Sequence, residues 1–599
     1  MNEKKYSLLP TTAEQADALD TNAPNHDTQQ ETHRRKLRTG FLKLCLFALA
    51  FYMLFWPIDD EDNDKAESRH RHRQHKEKHG RSAKSKYTFE SHMQSDIDQL
   101  VAGSLESSIV WDRLAEMTDT YGSRIAGSAA LEKSIDWVVA KAKADGLDVT
   151  TEDVIVDYWE RNEESLYFLS PTRGPVKLHM LGLGFSAPTP DPVNGIEAEV
   201  IIAHSKEELD QLGKAGQLKG RIVLYNKKYE SYGIDVQHRT FGATWAQDHG
   251  AVAVLVRSIS PFSLQTPHAG NSVAAKIPAA SITAEDAELL ARSLKRHQEN
   301  PKEFPDWPKV KLAMNAKTEL KSRTSRNIII ELKGREAPEE VIAIGGHIDS
   351  WDVGVGAVDD GAGAFIGWET LRQLSKLERP PRRTVRAVFW TSEENGSPGG
   401  RVYAANHPET NSTRHVFAFE SDNGVFDPYG IRFTGSVRNG EEKPSTESFD
   451  FMTAAGEYFL ASREDLGYPG AGHYVLPDGG GADIAPLCKQ GVACAHFTPA
   501  DPFPLPYSTS PYAVEKPAEE KEERDDSTHH RRHDRHHRKY YRHSKRELAQ
   551  PRRPIGGGYF YYHHTEADNM NAFTPDQVKN SAAVMAIWTY IVAESHVEL

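Results

Sequence analysis

Cysteine is scarce in this chain. Only Cys45, Cys488 and Cys494 occur among 599 residues, which excludes a scaffold built from disulfides. Cys488 and Cys494 are read as two buried thiols at a helix end and a strand start, with pairing open to them in an oxidising compartment. Long apolar runs are nearly absent as well. The exception is Phe41 to Ile58, interrupted only by Lys43, at the short end of what spans a bilayer. Patterned basic surface is also missing. The basic, His-rich runs lie in low-complexity stretches, so no nucleic-acid partner is expected. The formal net charge of −14 therefore understates how acidic the globular part is.

Arg34, Arg35, Lys36 and Arg38 precede the apolar run, and Asp59, Asp60, Glu61 and Asp62 follow it. The positive-inside rule makes 1–40 a cytosolic tail, 41–58 a transmembrane signal anchor, and the remainder luminal or extracellular. Cleavage and secretion is the alternative. Tyr6-Ser7-Leu8-Leu9 resembles a sorting signal for endosomes and lysosomes. Asn411-Ser412-Thr413 is a glycosylation acceptor, whereas Asn395-Gly396-Ser397 is expected to be inaccessible. Residues 59–87 and 501–556 are charged and His-rich, and both are read as disordered, the first as a stalk and the second as an insertion.

Between them the texture predicts an α/β fold. A helical pattern covers Ile97 to Met117, and a second helix covers Leu131 to Ala144, ending at Gly146. Strands are expected at Val154 to Tyr158 and Ser165 to Leu169. From 174 to 320 short β-rich runs (EAEVIIAH, GRIVLYN, AVAVLV, IPAASIT) imply a compact inserted β/α domain. Residues 88–173 and 321–599 form the main domain. RNIIIELKG, VIAIGGHID, VRAVFWTSEE, HVFAFESD and ACAHFT are strands. Ala362 to Leu377, Ala482 to Lys489 and Pro575 to Glu594 are helices, the last capped by Thr574. Apolar strands alternating with helices imply a mixed sheet covered on both faces, and active residues then belong at the carboxyl ends of its strands.

Acidic and histidine residues gather at those ends. His347 and Asp349 follow VIAIGG, and Asp359 and Asp360 sit in GVGAVDDGAGA. Glu393 and Glu394 follow VFWTS, Asp422 follows FAFES, and His564, Thr565 and Asp568 lie in HHTEAD. Singly, each is an ordinary cap or turn residue. Together they offer carboxylates and imidazoles from five segments to one crevice, a donor set suited to zinc. Peptide hydrolysis needs an activated water and a polarised carbonyl, and two ions roughly 3.5–4 Å apart supply both.

TYGSRIAGSAALE, WERNEES, GGHIDSWDVGVGAVDDGAGAF, WTSEENG, FESDNG, DGGGADI and HHTEAD together resemble the co-catalytic zinc aminopeptidase and carboxypeptidase family. The likeness runs from about Tyr87 to Leu599 apart from the insertion near 501–556, and it includes an inserted domain like a protease-associated domain. It implies that Asp359 bridges two zinc ions, with His347 and Asp422 on one and Glu394 and His564 on the other. It implies Glu393 as general base, working with a hydroxide shared by the ions, and Asp349 as the group that orients His347. It also implies a cis peptide between Asp359 and Asp360. His564 rather than His563 matches the family pattern, leaving His563 a packed or solvated residue. The implied activity is that of a di-zinc exopeptidase, a carboxypeptidase or dipeptidase acting on small peptides with free termini, as a homodimer. An aminopeptidase on longer peptides, a single-zinc glutaminyl cyclase and a receptor-like binding protein are the alternatives. Gly479, Gly480 and Gly481 are candidates to offer backbone N–H groups to a substrate carboxylate.

Overall fold

The structure, a computed structural model, describes residues 87–599 except 262, 411–412, 438–443, 445 and 502–557. The tail, anchor, stalk, insertion and Asn411 glycosylation expectations lie outside the described residues. Among the described residues no helix is long and apolar enough to cross a membrane.

Sixteen strands are described, in chain order β1 (Asp148–Glu160), β2 (Glu164–Ser170), β3 (Gly174–Leu178), β4 (Met180–Gly182), β5 (Ile196–Ala203), β6 (Ile222–Tyr225), β7 (Ala253–Arg257) and β8 (Ala279–Ile282). There follow β9 (Lys309–Met314), β10 (Lys317–Leu332), β11 (Ala337–His347), β12 (Arg383–Trp390), β13 (Arg414–Glu420), β14 (Pro428–Thr434), β15 (Tyr474–Leu476) and β16 (Ala493–Pro499). They form two eight-stranded sheets, ordered β1-β10-β12-β11-β13-β16-β14-β15 and β3-β2-β9-β5-β6-β7-β8-β4.

The first sheet is mixed. Strands β12, β11, β13 and β16 run parallel, flanked by antiparallel β10 on one side and β14 on the other. Its central strands are apolar on both faces, and helices cover them. The helix Ala362–Leu374 is buried along its whole length. It packs against Pro575–Glu594, which is buried at nearly every position after its first turn. Thr574 starts that last helix as foreseen, because its hydroxyl accepts from Gln577 N–H while the Gln577 side chain accepts from Thr574 N–H, a reciprocal cap that satisfies two otherwise orphaned donors.

The second sheet extends further along the chain than its expected start. Its first strand in sequence is β2, whose partners are β3 and β9, so the strand at Ser165 to Leu169 belongs here and not with the first sheet. Leu166 packs with Val200, Leu224, Leu255 and Leu312 in a core of its own. Other local expectations shift too. The helix expected over Ile97 to Met117 is two helices, Ser91–Glu106 and Ile109–Tyr121. Ser107 and Ser108 separate them, residues whose hydroxyls compete for backbone groups. The helix before β16 is only Ala485–Lys489. Cys488 and Cys494 are joined as a disulfide, correcting the reading of two free thiols. The bond ties that helix to β16.

Candidate functional site

Parallel strands place their carboxyl ends on one edge, so His347 at the end of β11, Glu393 and Glu394 just beyond β12 and Asp422 just beyond β13 converge. The turn after β11 adds Asp359 and Asp360. The peptide between them is cis, as expected. Gly346 lets that turn approach, since a Cβ there would overlap the Asp360 carboxylate.

His347 Nε2 lies 3.2 Å from Asp359 Oδ1 and 3.9 Å from Asp422 Oδ1. Across Asp359, His564 Nε2 lies 3.2 Å from Oδ2 and 2.9 Å from Glu394 Oε2. Donor atoms of His347, Asp359 and Glu394 lie within 4.8 Å of one another, as do those of His347, Asp360 and Asp422. The five expected ligands are therefore brought together, and Asp359 faces both histidines. Asp359 Oδ2, Asp360 Oδ1 and Glu394 Oε1 are buried and accept no hydrogen bond among the described residues. Burial of unpartnered carboxylate oxygen is costly without a cation, so the donor set fits a metal.

Electrostatics carry the same imprint. Burial, reinforced by neighbouring carboxylates, pushes Asp360, Glu394 and Asp422 above the usual carboxylate range. Asp359 moves down instead, because the imidazoles of His563, His347 and His564 outweigh its burial. Burial, opposed by His347 and assisted by Glu394 and Asp349, pushes Glu393 up to about 8. Glu393 is half-buried, and its Oε1 accepts from Ser397 Oγ at 3.2 Å.

Asp349 orients His347 through its main chain. The carbonyl of Asp349 lies 2.9 Å from His347 Nδ1, whereas its carboxylate is 3.6 Å away. That carboxylate instead accepts the N–H groups of Glu393 at 3.0 Å and Glu394 at 3.3 Å. The contact to His347 expected of Asp349 is thus made by its carbonyl, while its carboxylate holds the next turn. His563 is more than packing. Its ring stacks on His564 at 3.6 Å, and its Nε2 lies 3.6 Å from Asp359 Oδ2.

Several participants were not singled out from sequence. Fully buried Arg124 donates to the carbonyls of Ile348, Val355 and Gly356 at 2.6–2.7 Å, so it staples the Gly-rich turn. Burial pushes it down to about 10 despite Asp568 and Asp349 nearby. Asp568, noted from the sequence in HHTEAD without a role, accepts Val358 N–H at 2.6 Å. Glu420 accepts the N–H groups of Ala482, Asp483 and Ile484, so amides following the Gly479–Gly481 run serve a carboxylate of the chain itself. The second sheet also reaches the site. Asn271 Nδ2 donates to the Glu394 carbonyl at 3.1 Å, Ala269 N–H donates to the His564 carbonyl at 2.7 Å, and His268 Nε2 lies 3.1 Å from His563 Nδ1. The only sequence signal for these was TPHAGNS, a polar Gly-containing loop inside an otherwise β-rich region.

Comparison with known proteins agrees with this geometry. Residues 327–589 match the model of Peptidase family M28. Carboxypeptidase Q of Bos taurus is 42% identical over 331 residues, covering 54% of this chain and 67% of the relative. Carboxypeptidase Q of Xenopus laevis is 41% identical over 354 residues, covering 58% and 72%. Among solved structures, a peptidase M28 precursor from Shewanella amazonensis superposes with a TM-score of 0.65 at 28% identity, covering 85% of this chain and 98% of that one. A zinc aminopeptidase from Bacillus subtilis shares the fold, with a TM-score of 0.52 at 19% identity over 82% of this chain and 95% of its own. Sequence likeness to the carboxypeptidase Q relatives and likeness of fold lead to one assignment: the chain belongs to peptidase family M28.

Proposed function

We propose that the protein is a zinc-dependent exopeptidase that hydrolyses small peptides with free termini, using two zinc ions. The observation that carries the reading is the buried meeting of His347, Asp359 and Glu394 within 4.8 Å, with carboxylate oxygens left unpartnered. Relatives named carboxypeptidase Q favour the carboxypeptidase or dipeptidase form. In this reading Asp359 would serve both ions, His347 and Asp422 would hold one, and Glu394 and His564 would hold the other. Zinc at such ligands polarises a carbonyl and lowers the pKa of water.

The chain's own groups do the rest. Glu393 takes the proton of the attacking water and returns it to the leaving amine. Its elevated affinity for a proton, near neutrality, suits a group that must both accept and donate. The Asp349 carboxylate, bonded to the N–H groups of both Glu393 and Glu394, fixes base and ligand relative to each other. The Asp349 carbonyl on His347 Nδ1 selects the tautomer whose Nε2 lone pair faces the donors. The Cys488–Cys494 bond fits an oxidising compartment, in keeping with an exported catalytic region held by the 41–58 anchor.

A panel of dipeptides with free, N-blocked and C-blocked termini tests the reading. Hydrolysis of the free dipeptides should vanish with a chelator and return with zinc. Glu393→Gln should lower kcat by about 10²- to 10⁴-fold while zinc content stays the same. Hydrolysis that survives complete removal of zinc would sink the proposal, and a preference for C-blocked over free peptides would turn it toward an aminopeptidase.

A further inference from the structure

Left-handed backbone is costly for a residue with a Cβ, which crowds the following carbonyl oxygen. Among the described residues that adopt it, Ser392 and Ser397 flank Glu393 and Glu394, and His564 is itself a donor of the site. Phe185 adopts it too, at φ 61°, although it is neither a metal donor nor the base. Glycine is the usual occupant of such a turn, and Gly184 stands one position earlier. Strain of this kind persists only where the surroundings enforce it, and it gathers at functional sites.

Hydrogen bonds on both sides lock the turn. Leu183 N–H donates to the Ala279 carbonyl at 2.9 Å, Gly184 N–H to the Gly270 carbonyl at 3.0 Å, and Ser186 N–H to the Leu183 carbonyl at 3.0 Å. The Gly184 carbonyl accepts from Ser272 N–H and Oγ, both at 2.9 Å. From Leu181 to Ser186 every residue is buried except Phe185, which is half-buried. Its surroundings belong to the site. Gly184 bridges to Asn271, whose side chain holds the Glu394 carbonyl. Phe185 packs on a small apolar core that includes Trp351, Val353 and Ala269. The Trp351 ring meets His564 edge-on, with centroids 5.8 Å apart, and Ala269 N–H holds the His564 carbonyl. A Cβ at Gly184 would overlap the Trp351 ring, so the turn lies directly against it. An apolar surface thus adjoins Glu394 and His564, and Phe185 is its accessible part. Ligand sites commonly take this form, with apolar walls beside a few placed polar groups.

We propose that Phe185 walls an apolar subsite for a substrate side chain of leucine size, and is a specificity-determining residue of the hydrolysis. This rests on the peptidase reading above. The test uses the zinc-loaded full chain and its Phe185→Gly, Phe185→Asn and Phe185→Leu variants. Glycine and asparagine both tolerate left-handed backbone and both remove the apolar wall, so the second carries the comparison should the first misfold. Zinc content and the urea midpoint are measured first, then kcat/KM on Leu-Ala, Ala-Leu and Ala-Ala. Zinc content should stay the same, and the urea midpoint of Phe185→Gly should not fall, since strain is relieved as packing is lost. The preference for one leucine dipeptide over Ala-Ala should drop about 10-fold in Phe185→Gly and Phe185→Asn. Ala-Ala should be cleaved as before, and Phe185→Leu should stay within a few-fold of wild type. The leucine dipeptide that loses its preference shows which side of the scissile bond the subsite serves. Calorimetric binding of that dipeptide to Glu393→Gln protein, with and without Phe185→Asn, should weaken by the same factor and needs no turnover. No leucine preference in wild-type protein, equal losses on all three dipeptides, an unchanged preference in the variants, or loss of zinc would overturn this proposal alone. Wild-type protein that neither binds nor cleaves any dipeptide would overturn it together with the peptidase reading.

Discussion

The two ends of the central sheet bury the same kind of residue and treat it in opposite ways. At the amino ends of β11, β12 and β13, Glu340 accepts from Arg383 at 2.6 Å, from Arg414 at 2.8 Å and from Arg382 at 3.2 Å. Nearby, Glu594 at the end of the last helix is gripped by Arg335 and His92. Burial alone would raise Glu340, but Arg383 and Arg414 bring it down to about 2. At the carboxyl ends, Glu394 and Asp360 are buried, Asp422 is half-buried, and all three are pushed upward. The fold is able to supply a cation to a buried acid, and does so at one end. At the other it withholds one. Matched charge serves cohesion, while unmatched charge reserves a place for something from outside the chain.

The largest expected effect breaks the unmatched end. Asp359→Asn removes a donor shared by both halves of the donor set and should weaken zinc binding by more than about 100-fold, read as metal content after dialysis against buffered zinc. Retention of two equivalents would erase the contrast. At the matched end, Arg383→Met strands part of the Glu340 charge in a buried site and should cost about 3 kcal/mol in urea unfolding, with zinc content untouched. A cost under about 1 kcal/mol would mean that Arg414 and Arg382 suffice.

pH separates the ends further. Glu340 binds a proton less readily folded than unfolded, so its stabilisation is present above about 4.5 and is lost as pH falls through about 2. Wild-type protein should lose about 1 kcal/mol over that window once the shift is discounted for solvent screening, and Glu340→Gln should flatten the profile. Parallel profiles would show that the arginines do not depend on this acid. The smallest effect concerns the helix that joins the two ends. Thr574→Ala removes the reciprocal cap and should cost about 1 kcal/mol, leaving zinc affinity unchanged. A fall in zinc affinity would mean that the cap also positions His564.

Much of this was legible in the sequence where periodicity and end signals act locally. The strands VIAIGG and HVFAFE, the Thr574 cap and the five strand-end donors needed only apolar runs, turn residues and the rule that strand tips converge. The split at Ser107 and Ser108 was less visible, because apolar spacing continues across it from Leu100 to Leu114. Leu166 and its neighbours read equally well as part of either sheet, since pairing partners 142 to 150 residues away decide the matter. Asn271 and His268 left no trace as site residues. Each is an ordinary polar residue until long-range docking sets Asn271 against Glu394 and His268 against His563. Likewise, nothing in HIDSW distinguishes a carbonyl contact to His347 from a carboxylate one.

The loop from Thr266 to Ser272 has a consequence for how the protein is made. It grips the His564 main chain, yet it is synthesised long before His564 leaves the ribosome. Every acidic donor is translated earlier as well. A nascent chain therefore carries an incomplete centre from the time Asp422 is made until His564 follows, and the donor set closes only when the segment from Gly558 onward folds back onto both sheets.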